Sequence, residues 1–250
     1  MSSHGRLNGK TILECVVGST AHGTSVDDGL EDLDLMRVVI EEPRDAIGFD
    51  PSDTLVCRTK PDGVRSEAGD VDLTAYSLRK YLHLALRGNP TILLALFAKP
   101  RVITEEGENL RALAPYIVSK QAFFPFRGYM RQQLERLMGT RGQKNVTRPE
   151  LIEKYGYDTK YAGHIIRLGL QGVELLRTGR MSLPMEPHQR RAVIDVRTGA
   201  FTFERALEFA AEIEKDLVAA YATSTLREGP DTAYVERWMI RQYLDNWGRL

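Results

Sequence analysis

The hydrophobic pattern changes its period at Ser77, and that change commits the chain to a fold pairing a sheet with helices. Upstream, "TILECVV" (11–17), "LDLMRVVI" (33–40) and "DVDLTAYS" (70–77) are short and bounded by turn chemistry, which predicts strands. In the third, Val71, Leu73 and Ala75 alternate with Asp72, Thr74 and Tyr76. The stretch 42–69, with Pro43, Pro51 and Pro61, predicts irregular chain with a short strand at most, at "TLVCR". Downstream, Leu78, Tyr81, Leu82, Ala85 and Leu86 recur at helical spacing between Ser77 as N-cap and Gly88 as stop. "NPTILLALFAKP" repeats the logic, with Asn89 as cap, Pro90 at the first helical position and Pro100 beyond the end. A further short helix is expected around "GENLRALAPYIV".

From Ser119 onward helical periods dominate. Tyr129, Leu134, Leu137 and Met138 mark one apolar face. Tyr161, Ile165, Leu168, Val173 and Leu176 mark a second, and Leu207, Ala210, Ile213, Leu217 and Tyr221 a third. "MSLPMEPHQRRAVIDVRTGAFTF" interrupts them and predicts a hairpin turning at "RTG". The expected class is α+β, with a mixed-sheet domain over 1–118 and a mainly helical domain over 119–250 that closes a cleft.

At 250 residues, 42% hydrophobic, the chain can bury a sizeable core. Its polar start, "MSSHGRLNGK", is followed by no apolar run of signal-peptide or membrane-span length, so the expectation is a cytoplasmic protein without membrane contact. Cys15 and Cys57 share no metal-type spacing and read as reduced structural thiols. The zero net charge conceals an asymmetry: 15 acidic against 5 basic residues from Glu14 to Asp72, but 12 basic against 5 acidic from Lys120 to Arg180. An acidic half can hold cations and a basic half can face phosphates.

"GSTAHGTSVDDGLEDLDLMRVV" gives that asymmetry chemical content. Side chains on a strand alternate, so Asp32 and Asp34 share a face at the start of the second strand. Two carboxylates so close repel unless a cation lies between them, and oxygen-only ligands suit Mg²⁺ or Mn²⁺. Asp72 opens the third strand and is placed to join them, giving three carboxylates, enough for two ions. Gly18 and Ser19 leave the first strand in a turn whose N–H groups and hydroxyl suit the terminal phosphates of a nucleotide. A Gly-Ser pair or a lone D-x-D is commonplace. The order, with twelve residues between Ser19 and Asp32 and a later third aspartate, carries the weight.

That arrangement resembles the DNA polymerase beta superfamily of nucleotidyltransferases. More narrowly, "GSTAHGTSVDDGLEDLD", "DVDLTAYSLRKYLHLALRGNPTILLALF" and "YGYDTKYAGHIIRLGLQGVELLRTGRMSLP" resemble predicted nucleotidyltransferases associated with bacterial and phage RNA repair. The resemblance implies that Gly18 and Ser19 grip the nucleotide phosphates, Asp32 and Asp34 bind metal, and Asp72 is the third carboxylate. Asp72 is preferred to Asp70 because "VDL" followed by "YSLRK" is the matching context. His22 stands where the family often has an aromatic, and Glu31-Asp32 where it often has Ser-Asp. His22 is a candidate contact for phosphate or base, with an ordinary loop histidine as the alternative.

Lys160, His164 and Arg167 fall four and three residues apart, so one helix face presents all three. The resemblance covers this segment and implies contact with triphosphate or nucleic acid; a solvated face is the plain alternative. Arg127, Arg131, Lys144 and Arg148, near Phe123, Phe124 and Tyr129, offer a polynucleotide track, although aromatics near helices are usually core. The implied reaction moves a nucleotidyl group from a nucleoside triphosphate to an acceptor hydroxyl, releasing pyrophosphate, with two Mg²⁺ or Mn²⁺ ions and RNA as the expected acceptor. A transfer RNA, a protein hydroxyl or a small molecule fits the same catalytic half. A catalytically silent nucleotide- or RNA-binding module and an antitoxin-like partner protein are the rival readings.

Overall fold

Among the described residues, six strands form one mixed sheet in the order β1-β4-β5-β3-β2-β6. They are β1 (Ser2–His4), β2 (Gly9–Val16), β3 (Leu33–Glu41), β4 (Thr54–Arg58), β5 (Val71–Ser77) and β6 (Pro100–Ile103). The computed structural model describes residues 2–26, 33–60, 69–139 and 148–248, and of residues 2–4 the backbone alone. The pair β3–β5 is parallel and every other pairing is antiparallel. β3 lies inside the sheet and reads as a nearly continuous apolar run, with Leu35, Met36, Val38, Val39 and Ile40 all buried. The three strands expected from alternation and the short one at "TLVCR" are present. The edge strands β1 and β6 are additional, too short to show a period.

Helices α3 (Leu78–Leu86) and α4 (Pro90–Phe97) begin where their caps place them. The Ser77 side chain accepts from Lys80 N at 3.1 Å, and Asn89 accepts from Thr91 N at 3.0 Å and Ile92 N at 3.3 Å. Between β3 and β4, Pro43 opens a short helix, α2 (Pro43–Ile47), in a stretch read as irregular. α5 (Glu105–Ala112) and α6 (Ala114–Ile117) divide the single helix expected there. These helices bury one face of the sheet, where Met36, Val38 and Ile40 meet Leu78, Tyr81, Leu93 and Leu110.

The helical half contains α7 (Phe123–Leu137), α8 (Pro149–Tyr155), α9 (Thr159–Thr178), α10 (Pro187–Arg197), α11 (Phe203–Thr223) and α12 (Thr232–Trp247). A second apolar cluster joins α7, α9, α10 and α11 through Met130, Ile165, Ile166, Val193, Val196, Ile213 and Leu217. The buried face of α7 is set by Phe123, Phe126 and Met130, whereas Met138 is half exposed. α9 serves both clusters, with Leu175 in the first and Leu168 and Leu176 in the second. α12 returns to the first cluster through Val235 and Tyr243.

The hairpin expected over 181–203 is a helix, α10. Pro187 occupies its first turn, Val193 and Val196 bury one side three residues apart, and Gly199 at φ +77° ends it. The turn at "RTG" is therefore a helix stop. Among the described residues no helix is long and apolar enough to cross a membrane.

Candidate active site

The parallel register of β3 and β5 sets Asp34 directly beside Asp72. Paired residues on neighbouring strands share a face and lie about 5 Å apart. Asp70 is instead drawn to Lys60, whose Nζ lies 3.4 Å from its carboxylate. Asp32 lies outside the described residues. Among the described residues no group of three His, Cys, Asp or Glu side chains converges as a metal site, so Asp34 and Asp72 are the two members of the expected triad that can be placed.

β2 ends against the backbone of Asp34. Val17 N donates to Asp34 O at 2.9 Å, and the chain then turns into the short helix α1 (Gly18–His22). Gly18 has φ +68°, and a Cβ at this position would collide with Asp34 Oδ2. Both the left-handed backbone and the close approach require glycine here. Ser19 follows at the rim, and Thr24 N closes the loop by donating to Ser19 O at 3.0 Å.

α9 supplies the opposite wall. Its N-cap Asp158 accepts from Lys160 N at 3.0 Å and Tyr161 N at 3.1 Å, and pairs with Arg148 at 3.2 Å. The cap sets where the helix starts, and the helical spacing puts Lys160, His164 and Arg167 on one face. Those three side chains, with Gly18, Ser19, His22 and Asp34, line one cavity of about 250 Å³. Gly163, Thr24, Val193 and Arg197 complete the lining. The sequence thus singled out seven residues that the fold brings to one cavity; Asp72 adjoins it through β3 without lining it.

Among the described charged side chains of the lining, Lys160, Arg167 and Arg197 outnumber Asp34. Arg167 Nη1 lies 2.9 Å from His22 Nε2 and 2.9 Å from Gln171 Oε1. A guanidinium can only donate, so His22 Nε2 is the acceptor in this contact, while its Nδ1 lies 3.0 Å from Gln171 Nε2. Burial, then Arg167 and His164, hold the pKa of His22 well below 6.5. Burial, then Arg167, Lys160, Arg197 and Arg148, do the same for His164. Burial and Arg197 lower Arg167 itself to about 10, which leaves it charged at neutral pH. Among the described residues no carboxylate pairs with Arg167. A charged group enclosed with neutral acceptors alone leaves a site that favours an anion.

A family model matches residues 2–241, nearly the whole chain, and its description is RNA repair pathway DNA polymerase beta family, RlaP. The chain belongs to this family. A search of curated proteins finds no match. Among solved structures, a nucleotidyltransferase-like protein from Exiguobacterium sibiricum 255-15 is similar at 11% identity over 96% of this chain and 71% of that one, with a TM-score of 0.30. Membership in the RlaP family bears out the resemblance drawn from the Gly-Ser and aspartate pattern, and makes the chain a nucleotidyltransferase.

In this RlaP-family chain the described arginines of the expected polynucleotide track pair within the protein. Arg127 and Arg131 both pair with Glu214 on α11, at 2.7 and 3.2 Å, and Arg148 pairs with Asp158. Phe123 is buried and stacks on Tyr221 with ring centroids 4.4 Å apart. Lys144 lies outside the described residues. Cys15 is buried, and its thiol is pushed up to about 12, which keeps it inert. Sequence reasoning missed Arg197, Gln171 and Gly163. Gln171 stands one turn beyond Arg167 on the same helix face, a signal that could have found it.

Proposed function

We propose that this nucleotidyltransferase moves a nucleoside monophosphate from a nucleoside triphosphate to a hydroxyl on RNA. The acceptor oxygen bonds to the α-phosphorus, the bond to the β-phosphate bridging oxygen breaks, pyrophosphate leaves, and the hydroxyl proton passes to Asp72. Ser19, Lys160, His164 and Arg167 would hold the β and γ phosphates, with His22 orienting Arg167 from behind and Gly18 giving room beside Asp34. The cation-lined cavity facing Asp34 carries this reading, because Arg167 meets neutral partners there and a polyphosphate supplies the missing charge. At about 250 Å³ it suits a phosphate tail better than a whole nucleotide, whose sites usually run from about 300 Å³ upward.

The oxygen-only donor pair Asp34 and Asp72, side by side on parallel strands, fits Mg²⁺ or Mn²⁺. Asp34 and Asp72, with Asp32, would hold two such ions. When bound, they would offset the negative charge that the transferring phosphate develops. The division into a catalytic half over 1–118 and a helical half over 119–250 belongs to the same reading, since α9 forms one wall of the cavity and the ends of β2 and β3 the other.

The test is pyrophosphate release from each ribonucleoside triphosphate, with Mg²⁺ or Mn²⁺ and mixed RNA, for the wild type, Asp32→Asn and Asp34→Asn. Metal-dependent release with label on RNA is expected, lowered at least about 100-fold in Asp34→Asn at unchanged far-UV circular dichroism. Undiminished turnover in folded Asp34→Asn would defeat the assignment. Nucleotide binding without release, with or without metal, would point to the silent binding module.

A further inference from the structure

We infer that Arg197, delivered from α10 across the groove that Gly163 leaves in α9, is a phosphate-binding residue of this site. The inference rests on reading the cavity as the triphosphate pocket.

Gly163 supplies the first observation. Its backbone is not among those with positive φ, so nothing in the local conformation calls for glycine. Glycine is a poor choice in a helix interior, where alanine would be favoured. What forbids alanine is the Arg197 stem: a Cβ on Gly163 would lie 2.6 Å from Arg197 Cγ and 3.3 Å from Cδ. The helix is notched where the arginine crosses it, between Lys160 and His164 on the cavity face.

The second observation is where the arginine goes after crossing. Arg197 Nη1 donates to the Thr24 carbonyl, at the far end of the loop that begins with Gly18 and Ser19. That bond orients a planar fork of five donors at the cavity wall, a geometry suited to phosphate oxygens. Lys160, Arg167 and Arg197 therefore converge on one cavity from two helices. The Arg197 charge is felt at Arg167 and His164, lowering both. Three cationic side chains against the one Asp34 carboxylate on this lining favour an anion carrying more than one charge. A purely structural arginine tying down Thr24 would account for the notch but not for the position on the cavity lining beside a second guanidinium.

Calorimetric binding of inorganic tripolyphosphate to the full chain tests this, with melting temperature recorded for each variant. Arg197→Gln is expected to bind about 10- to 100-fold more weakly, the loss typical of a hydrogen bond to a charged group. Gly163→Ala, which keeps the arginine but blocks its path, should weaken binding in the same direction. The double variant should bind no worse than Arg197→Gln, because Gly163 acts only through Arg197. Unchanged affinity in Arg197→Gln, or a Gly163→Ala loss that adds in full to it, would overturn the inference while leaving the pocket reading intact. If Arg197→Gln does not fold, Gly163→Ala decides alone, and wild-type affinity in it overturns the inference. A wild type that binds no tripolyphosphate removes the pocket reading and this inference together.

Discussion

His22 and His164 show how single residues report on the cavity. Both are held neutral by burial and by surrounding cations, and both would have their ordinary pKa near 6.5 in the unfolded chain. The unfolded state therefore binds more protons as pH falls below that value. Stability is fully present above about pH 6.5 and is lost progressively towards the lower folded-state pKa values, by as much as about 1.4 kcal/mol per pH unit for each histidine. Urea midpoints should fall between pH 7.5 and pH 5.5, and the fall should shrink when His22 is replaced by Gln. An unchanged pH dependence in His22→Gln would show that His22 is not the group responsible. The role of Arg167 at this scale was half visible: its spacing from Lys160 and His164 set the face, but the neutral partners that leave it unpaired come from α1 and from Gln171.

At the scale of elements, α9 does most to shape the site, and its start is fixed by one residue. Asp158 is buried, caps the first turn through two backbone N–H groups and accepts Arg148. Asp158→Ala should cost about 1–2 kcal/mol for the cap, with a further cost for the stranded Arg148. It should also weaken tripolyphosphate binding, since Lys160 sits in the turn that frays. Chemical denaturation and calorimetry on one preparation check both effects, and loss of stability with unaltered affinity would mean that the cap does not position Lys160. The helix caps at Ser77 and Asn89 were legible because capping is local chemistry. α10 was not, because Pro184, Pro187 and Gly199 signalled turns while its buried side is only Val193 and Val196, too short a stripe to announce a period.

Across the whole molecule, the last helix closes on the first core. Tyr243 donates its hydroxyl to the buried Glu41 at 2.7 Å and accepts from Arg79 N at 3.0 Å, while Trp247 Nε1 donates to Glu41 O at 2.9 Å. Glu41 also accepts from Leu78 N at 3.2 Å, so one carboxylate joins β3, the start of α3 and α12. Burial, with Glu41 beside it, raises the Tyr243 phenol far above its usual range, so it remains a donor. Tyr243→Phe removes a donor from a buried carboxylate and an acceptor from a backbone N–H. It should destabilise the protein by about 1–3 kcal/mol. A thermal melt equal to wild type would show that α12 is held by apolar contact alone.

The sequence by itself determined what depends on neighbours along the chain: strand and helix periods, caps, the Gly-Ser turn before an acidic strand start, and the spacing of Lys160, His164 and Arg167. Those signals also sufficed for the family and the α+β class. Tertiary structure decided what depends on approach between distant segments. The register that sets Asp34 beside Asp72, the meeting of α1 with α9 around His22 and Arg167, and the passage of Arg197 over Gly163 join residues 38, 145 and 34 positions apart. No local period encodes such contacts, because they are selected by packing two apolar clusters against each other, and each side chain's partner is known only once that packing is fixed.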